Sequence, residues 1–337
     1  MKLGKSSFQF DSVYLKETAT VVGEFEGDGP LAKHFDIIEK DTHFGMDSWE
    51  KAEIRMNELA IKKVLQKSGL QQEAIDIAFA GDLVNQLVPT HYAMRNFDMP
   101  FLGTYAACAT MTESLFLASH FVATASANNA LCFSSSHNMM AEKQYRTPVE
   151  YGGPKGDTAQ FTATASGAAI VSNTPSKVAI TGATVGMIID AQQKDPADMG
   201  SAMAPAAYDT LSRHFKAFGV QPSAYDLILT GDLATVGSPI LIDLLARDGY
   251  DISKQHNDCG KLLYDEAKQP TLAGGSGAGC APAVVYGHIY DALKTGKYKK
   301  VLVCATGALL NPTIVAQKET IPCIAHAVVL EAVGGAS

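Results

Sequence analysis

Cys108 lies in Phe101-Leu-Gly-Thr-Tyr-Ala-Ala-Cys-Ala-Thr-Met-Thr-Glu-Ser114, where an apolar strand-like run gives way to two alanines, the thiol and a helix-forming stretch. A thiol in the first turn of a helix feels the positive end of the dipole, which favours the thiolate. Acyl transfer needs a nucleophile presented in this way, a base to move its proton and donors for the oxyanion. Other side chains with chemistry to offer are dispersed. Thr110 follows the thiol, His137 follows three serines, and Asp232 follows Gly231. Ser276 sits in the glycine-rich stretch 274–279, and Cys323 lies in Ile321-Pro-Cys-Ile-Ala-His326. The glycine-rich stretch has no lysine of the phosphate-binding-loop type, so nucleotide binding is not expected there.

The elements that must position these residues come in two copies. Gly69-Leu-Gln-Gln-Glu-Ala-Ile-Asp-Ile-Ala-Phe-Ala-Gly-Asp-Leu83 recurs 150 residues later as Gly219-Val-Gln-Pro-Ser-Ala-Tyr-Asp-Leu-Ile-Leu-Thr-Gly-Asp-Leu233, with seven of fifteen positions identical. Each copy follows a helical pattern, over 48–67 and 207–218, and ends in a short apolar strand, over 75–80 and 225–230. Gly69 and Gly219 fit helix C-caps. Opening strands are expected over 13–23 and 178–187, buried strands over 130–135 and 301–305, and closing strands over 161–172 and 324–331. Strands alternating with helices imply an α/β architecture of largely parallel strands with helices on both faces. The expected division is 1–173 for the half that carries Cys108 and 174–337 for the other. Because Asp82 and Asp232 recur at equivalent places, capping the following turn is the plainer role for both.

The composition narrows the function classes. The chain has 337 residues, 47% of them hydrophobic and 18% charged, with a net charge of −8. That balance argues against non-specific nucleic-acid binding and supplies no polybasic membrane anchor. No apolar run reaches the length of a bilayer span, and Met1–Ser7 has no signal-peptide core. The six cysteines form no C-x-x-C pair. They read as free thiols in a reducing compartment, with Cys280 and Cys304 in the core. His256 is expected on the surface and His326 in the core. His137 is either a hydrogen-bonded loop histidine or a site residue.

Two duplicated halves with a cysteine at a strand-to-helix turn in the first resemble the thiolase fold of thiolases and ketoacyl synthases. That resemblance implies a duplicated five-layer α-β-α-β-α fold with pseudo-twofold symmetry, and a homodimer with the Cys108 region near its interface. The ketoacyl synthase histidine would fall within Leu229-Thr-Gly-Asp-Leu-Ala-Thr235, where Gly231 or Asp232 stands instead. The asparagine would fall in Gly274-Gly-Ser-Gly-Ala-Gly-Cys-Ala-Pro282, where Gly275 replaces it. Cys323 lies near the place of the second thiolase cysteine, without the expected glycines. Losing two members of such a set should leave little condensing activity.

More local words, including Cys132-Phe-Ser-Ser-Ser-His-Asn138, Gln144-Tyr-Arg-Thr-Pro-Val-Glu-Tyr-Gly152 and Ala273-Gly-Gly-Ser-Gly-Ala-Gly-Cys280, resemble the stage V sporulation protein AD family of the SpoVA group. The resemblance implies a non-catalytic protein that binds dipicolinic acid, alone or with calcium, and supports its uptake into the developing spore. It would be held peripherally at the inner spore membrane by membrane-spanning SpoVA partners. The ligand pocket is expected around Cys108, Thr110, Asp232, Gly275, Ser276, His137 and Cys323. One carboxylate would meet backbone N–H groups at Cys108–Thr110 and at 274–279. Asp232 would meet a calcium carried by the ligand. The rivals are an active condensing enzyme that uses Cys108 as nucleophile, and an assembly subunit whose pocket is vestigial.

Overall fold

A computed structural model describes residues 1–146 and 152–334. Positions 147–151 of the Gln144–Gly152 word, and 335–337 at the end of the second half, lie outside the described residues. In the first half the main elements are β1 (Tyr14–Gly23), α1 (Trp49–Ser68), β2 (Ile77–Asp82), α2 (Val88–Met94), β3 (Phe101–Gly103), α3 (Thr110–Ala123), β4 (Asn129–Ser136), α4 (Asn138–Tyr145), β5 (Phe161–Thr162) and β6 (Ala165–Ser172). The second half runs β7 (Val178–Thr184), α5 (Met199–Phe218), β8 (Leu227–Thr230), α6 (Ala234–Arg247), β9 (His256–Asp258) and β10 (Gly275–Ser276). It continues with a helical run over 280–294 (α7), then β11 (Lys300–Ala308), α8 (Pro312–Ala316) and β12 (Cys323–Ala332).

The duplication is visible in the strand order. From the centre outward the first half reads β1-β6-β4-β2-β3 and the second reads β7-β12-β11-β8-β9. In both, the two outer pairings are parallel and the two inner ones antiparallel. A single antiparallel register, Ala179 opposite Tyr14, joins β7 to β1.

Alternating side chains build the layers, because successive residues of a strand point to opposite faces. Ala78, Ala80, Leu131 and Phe133 face α1 with Met56, Ile61 and Val64. Phe79, Ala130 and Cys132 face the other way, onto Met111 and Leu115 of α3. The second half repeats this: Ile228 and Leu302 pack on Leu211 and Phe215 of α5, while Leu227, Leu229, Val301 and Val303 join the cluster around α3 and α7. The two central helices are therefore buried between two half-sheets, and α1 and α5 cover the outsides. This is the thiolase-like five-layer arrangement. The central cluster draws on both halves, so neither closes its core alone.

Several expected boundaries move. Ser48 is the N-cap of α1, accepting from Lys51 N, and Gly69 and Gly219 are left-handed C-caps at φ 70° and 64°. The helix expected from 207 begins at Met199, because Asp198 caps it by accepting from Ser201 N. Both repeat strands start two residues later than expected, since 3-10 turns at Gln72–Ala74 and Pro222–Ala224 precede them. The opening strand expected over 178–187 ends at Thr184. The closing strand expected over 161–172 is broken. Thr164 N turns aside to Glu26 Oε1 at 3.0 Å, and the detached piece β5 pairs with β10. That break carries residues from both halves to the site.

Candidate functional site

The chain between β3 and α3 makes a tight elbow. Ala107 adopts φ 49°, a left-handed conformation costly for a residue with a Cβ. The Thr110 hydroxyl holds it there, donating to Ala107 O at 2.7 Å and accepting from Ala106 N at 3.1 Å. On the other side β11 approaches so closely that a Cβ on Gly307 would lie 2.1 Å from Ala106 O. The elbow points Cys108 at a cavity of about 270 Å³.

Cys108 is 6% exposed and packs against Leu83, Ala107 and Ala278. Burial first, and Asp232 second, push its thiol well above the ordinary value; the Gly277 backbone N–H pulls weakly the other way. The thiolate expected from the helix dipole is therefore overturned: removal from water outweighs one helix terminus. The cysteine rests as a thiol.

Cys108, Ser276 and Gly277 line the inner part of the cavity, with Leu83, Tyr145 and Gln160 around them. Gln160 donates from Nε2 to Asp232 O at 2.6 Å, while its Oε1 is buried without a partner. Three charged side chains complete the lining: Glu142, Arg146 and Lys155. Lys155 Nζ lies 2.5 Å from Glu142 Oε1, and Arg146 Nε lies 3.6 Å from Glu142 Oε2. Arg146 also donates to Gly153 O at 2.5 Å. With two cations and one carboxylate, the described lining is net positive in a chain whose total is −8.

The other expected site residues do not line the cavity, although Cys323 lies near enough to Cys108 to act on its thiol. The Thr110 hydroxyl is consumed within the elbow. Gly275 lies behind the lining, where a Cβ would meet the Tyr264 ring at 2.6 Å, so the asparagine frame is closed by an aromatic side chain. His137 is the N-cap of α4, accepting from Met139 N at Nδ1 and bonding Thr42 O through Nε2 at 2.9 Å. Cys323 donates weakly to Ile321 O at 3.6 Å, and burial pushes it up to about 12. His326 accepts from Gly186 N at 3.1 Å and is held down at about 4 by burial. His256, expected on the surface, is half-buried on Thr230 Oγ1 at 2.9 Å. No histidine lines the cavity among the described residues. All six cysteines are free and buried.

Asp232 is fully buried behind Cys108, outside the cavity lining, and neither carboxylate oxygen makes a hydrogen bond. Burial, then repulsion from Asp258, raise it well above the ordinary carboxylate range; the Cys280 thiol and Gly277 N–H lie near enough to oppose this slightly, without hydrogen-bond geometry. An isolated buried carboxyl stays neutral rather than bear the cost of desolvating its charge. Asp232 thus stands behind the cavity lining and not in it, apart from the place where it was expected to meet a calcium carried by the ligand. Among the described residues no cluster of three or more His, Cys, Asp or Glu could hold a metal ion.

The polar lining of Glu142, Arg146, Lys155 and Gln160 escaped the sequence reading. Its one signal was the Gln144–Gly152 word, which contains Arg146 and ends three residues before Lys155.

Comparison with known proteins agrees with the fold. The crystal structure of 3-oxoacyl-[acyl-carrier-protein] synthase III from Aquifex aeolicus is 14% identical, covers 95% of this chain and 99% of its own, and superposes with a TM-score of 0.54. Cerulenin-bound OleA from Xanthomonas campestris is 11% identical, covers 96% and 99%, and reaches 0.63. At these identities the likeness is one of fold. Stage V sporulation protein AD of Bacillus subtilis (strain 168) is 49% identical over 339 residues, covering all of both chains. The family model for stage V sporulation protein AD matches residues 4–331, and the chain belongs to that family.

Proposed function

We propose that the chain is a non-catalytic binding protein for dipicolinic acid that supports its uptake into the developing spore. The observation that carries this is the pair of cations, Arg146 and Lys155, over a cavity whose inner lining is a neutral thiol, a hydroxyl and a backbone N–H. A flat pyridine with two carboxylates matches such a lining, because charge-assisted bonds from Arg and Lys are the strong ones and Arg suits a planar carboxylate. Calcium arriving with the ligand would meet Glu142 and the unpartnered Gln160 Oε1, both oxygen donors of the kind it takes.

Condensing chemistry finds less support. The thiol is protonated, no histidine faces it among the described residues, and the asparagine position is filled by Tyr264 packing. Calorimetric titration with dipicolinate and with acyl-coenzyme A, with intact-mass analysis of the second mixture, tests the choice. Dipicolinate should bind and no acyl group should appear on Cys108, and Lys155→Ala or Arg146→Ala should weaken binding by about tenfold or more. An acyl adduct on Cys108 with turnover would establish the condensing reading instead.

Strand β3 is an outer edge, with Leu102 in it 51% exposed and Tyr105 just beyond it 42% exposed, and a second copy of the chain would cover it. Leu102→Lys should shift the sedimentation of the protein towards the monomer; an unchanged profile would remove this edge from consideration. No described helix is long and apolar enough to cross a membrane, so attachment to the inner spore membrane would run through membrane-spanning SpoVA partners. Co-purification from spore membranes with and without those partners checks this.

A further inference from the structure

The cavity contains its own anion. Glu142 is the one carboxylate among the described lining residues, and it lies against both cations, 2.5 Å from Lys155 Nζ and 3.6 Å from Arg146 Nε. All three side chains are at least two-thirds buried, so this is not a solvated surface pair. Each cation also keeps a second contact that does not involve Glu142. Arg146 donates to Gly153 O, and Lys155 Nζ lies 5.9 Å from the centroid of Phe161 on β5. The cations therefore have support without the carboxylate, which occupies the position a ligand carboxylate would take.

We infer that Glu142 is a built-in competitor: a bound dicarboxylate takes Arg146 and Lys155 from it, and Glu142 sets how tightly the free dianion is held. This rests on the proposed dipicolinate site. Among the described lining residues an incoming dianion meets a net charge of +1 instead of +2, and must replace existing ion pairs rather than fill empty ones. Affinity falls and release becomes easier, which suits a protein that passes its ligand on. A ligand with one carboxylate can use the inner donors and leave the Glu142 pairs intact, so the competition acts on the second carboxylate.

The experiment is calorimetric titration of the full chain in calcium-free buffer with dipicolinate and with the monocarboxylate picolinate. It compares wild type, Glu142→Gln and Glu50→Gln, with a thermal melt of each. Glu50 pairs with Lys143 at 2.5 Å outside the cavity, so its variant makes the same change in net charge at another place. Glu142→Gln should bind dipicolinate about tenfold more tightly than wild type, as expected for removing one close, partly buried charge. Its gain for picolinate should be smaller, and Glu50→Gln should match wild type. Equal or weaker dipicolinate binding by a folded Glu142→Gln overturns the inference and leaves the binding function standing. So does an equal gain for picolinate, or the same gain in Glu50→Gln. Absence of dipicolinate binding in both wild type and Glu142→Gln overturns the function itself, and the inference with it.

Discussion

Asp82 and Asp232 occupy the same place in the two repeats and do opposite things. Asp82 accepts from Val84 N at 2.7 Å, Thr90 N at 2.9 Å and Thr90 Oγ1 at 2.5 Å, fixing the turn into α2. The Asp232 carboxylate accepts nothing. The cause lies on the neighbouring strand. In the first half Ala80 pairs with Gly103, which has no side chain to offer. In the second half the equivalent Thr230 pairs with Asp258, whose carboxylate accepts from Leu233 N at 2.9 Å, Ala234 N at 3.0 Å and Gly260 N at 2.9 Å. Asp258 has taken over the cap of α6, and Asp232 is left as a neutral acid behind Cys108. A duplicated residue keeps its position in the chain but takes its role from what the adjacent strand provides.

The largest expected effects test the shared capping role. Asp82→Ala and Asp258→Ala should each lower stability by about 3 kcal/mol, because each strands several buried donors. Denaturant unfolding measures this, and a loss below 1 kcal/mol in either would break the equivalence of the two caps. Next comes the elbow that the second half props. Gly307→Ala places a methyl against Ala106 O and should cost about 2 kcal/mol. The same substitution should weaken dipicolinate binding, since Cys108 moves with the elbow; unaltered stability would mean that β11 does not support it.

Asp232→Asn should have the opposite sign. The folded pKa of Asp232 lies above its unfolded value near 3.8. Its contribution to stability is therefore complete below about pH 4 and is lost as pH rises through the folded pKa. Asparagine escapes that loss, so the variant should match wild type near pH 3.5 and exceed it by about 1 kcal/mol at pH 7.5. Asp82 is raised only to about 6, so its own loss should be complete near that pH. Identical pH profiles for Asp82→Asn and Asp232→Asn would contradict the contrast between them. The smallest effect is chemical: Cys108 should alkylate with iodoacetamide more slowly than a free cysteine peptide at pH 7.5. Rapid labelling followed by mass spectrometry would show that the thiol is not held protonated.

Much of the fold was legible along the chain, because local chemistry wrote it. Ser48 and the two glycines at 69 and 219 mark helix ends through groups that act within a few residues. The unbroken apolar run Ala78-Phe79-Ala80 marks a strand buried on both faces. The site was less legible. Thr110 looked like a ligand donor because it follows Cys108, yet its hydroxyl closes a turn three residues back. Lys155 drew no notice, because its meaning comes from Glu142, thirteen residues away.

By itself the sequence determined the duplication, the α/β class and the elbow at Cys108. Those are properties of residue type and spacing. Tertiary structure alone decided that Cys108 rests as a thiol, that Asp232 is neutral and leaves its cap to Asp258, and that Glu142 lies against two cations in the lining of a cavity. Each depends on how much water is excluded and on which distant groups come within a few ångströms. Solvation and charge are set by the packed surroundings, and spacing along the chain does not encode them.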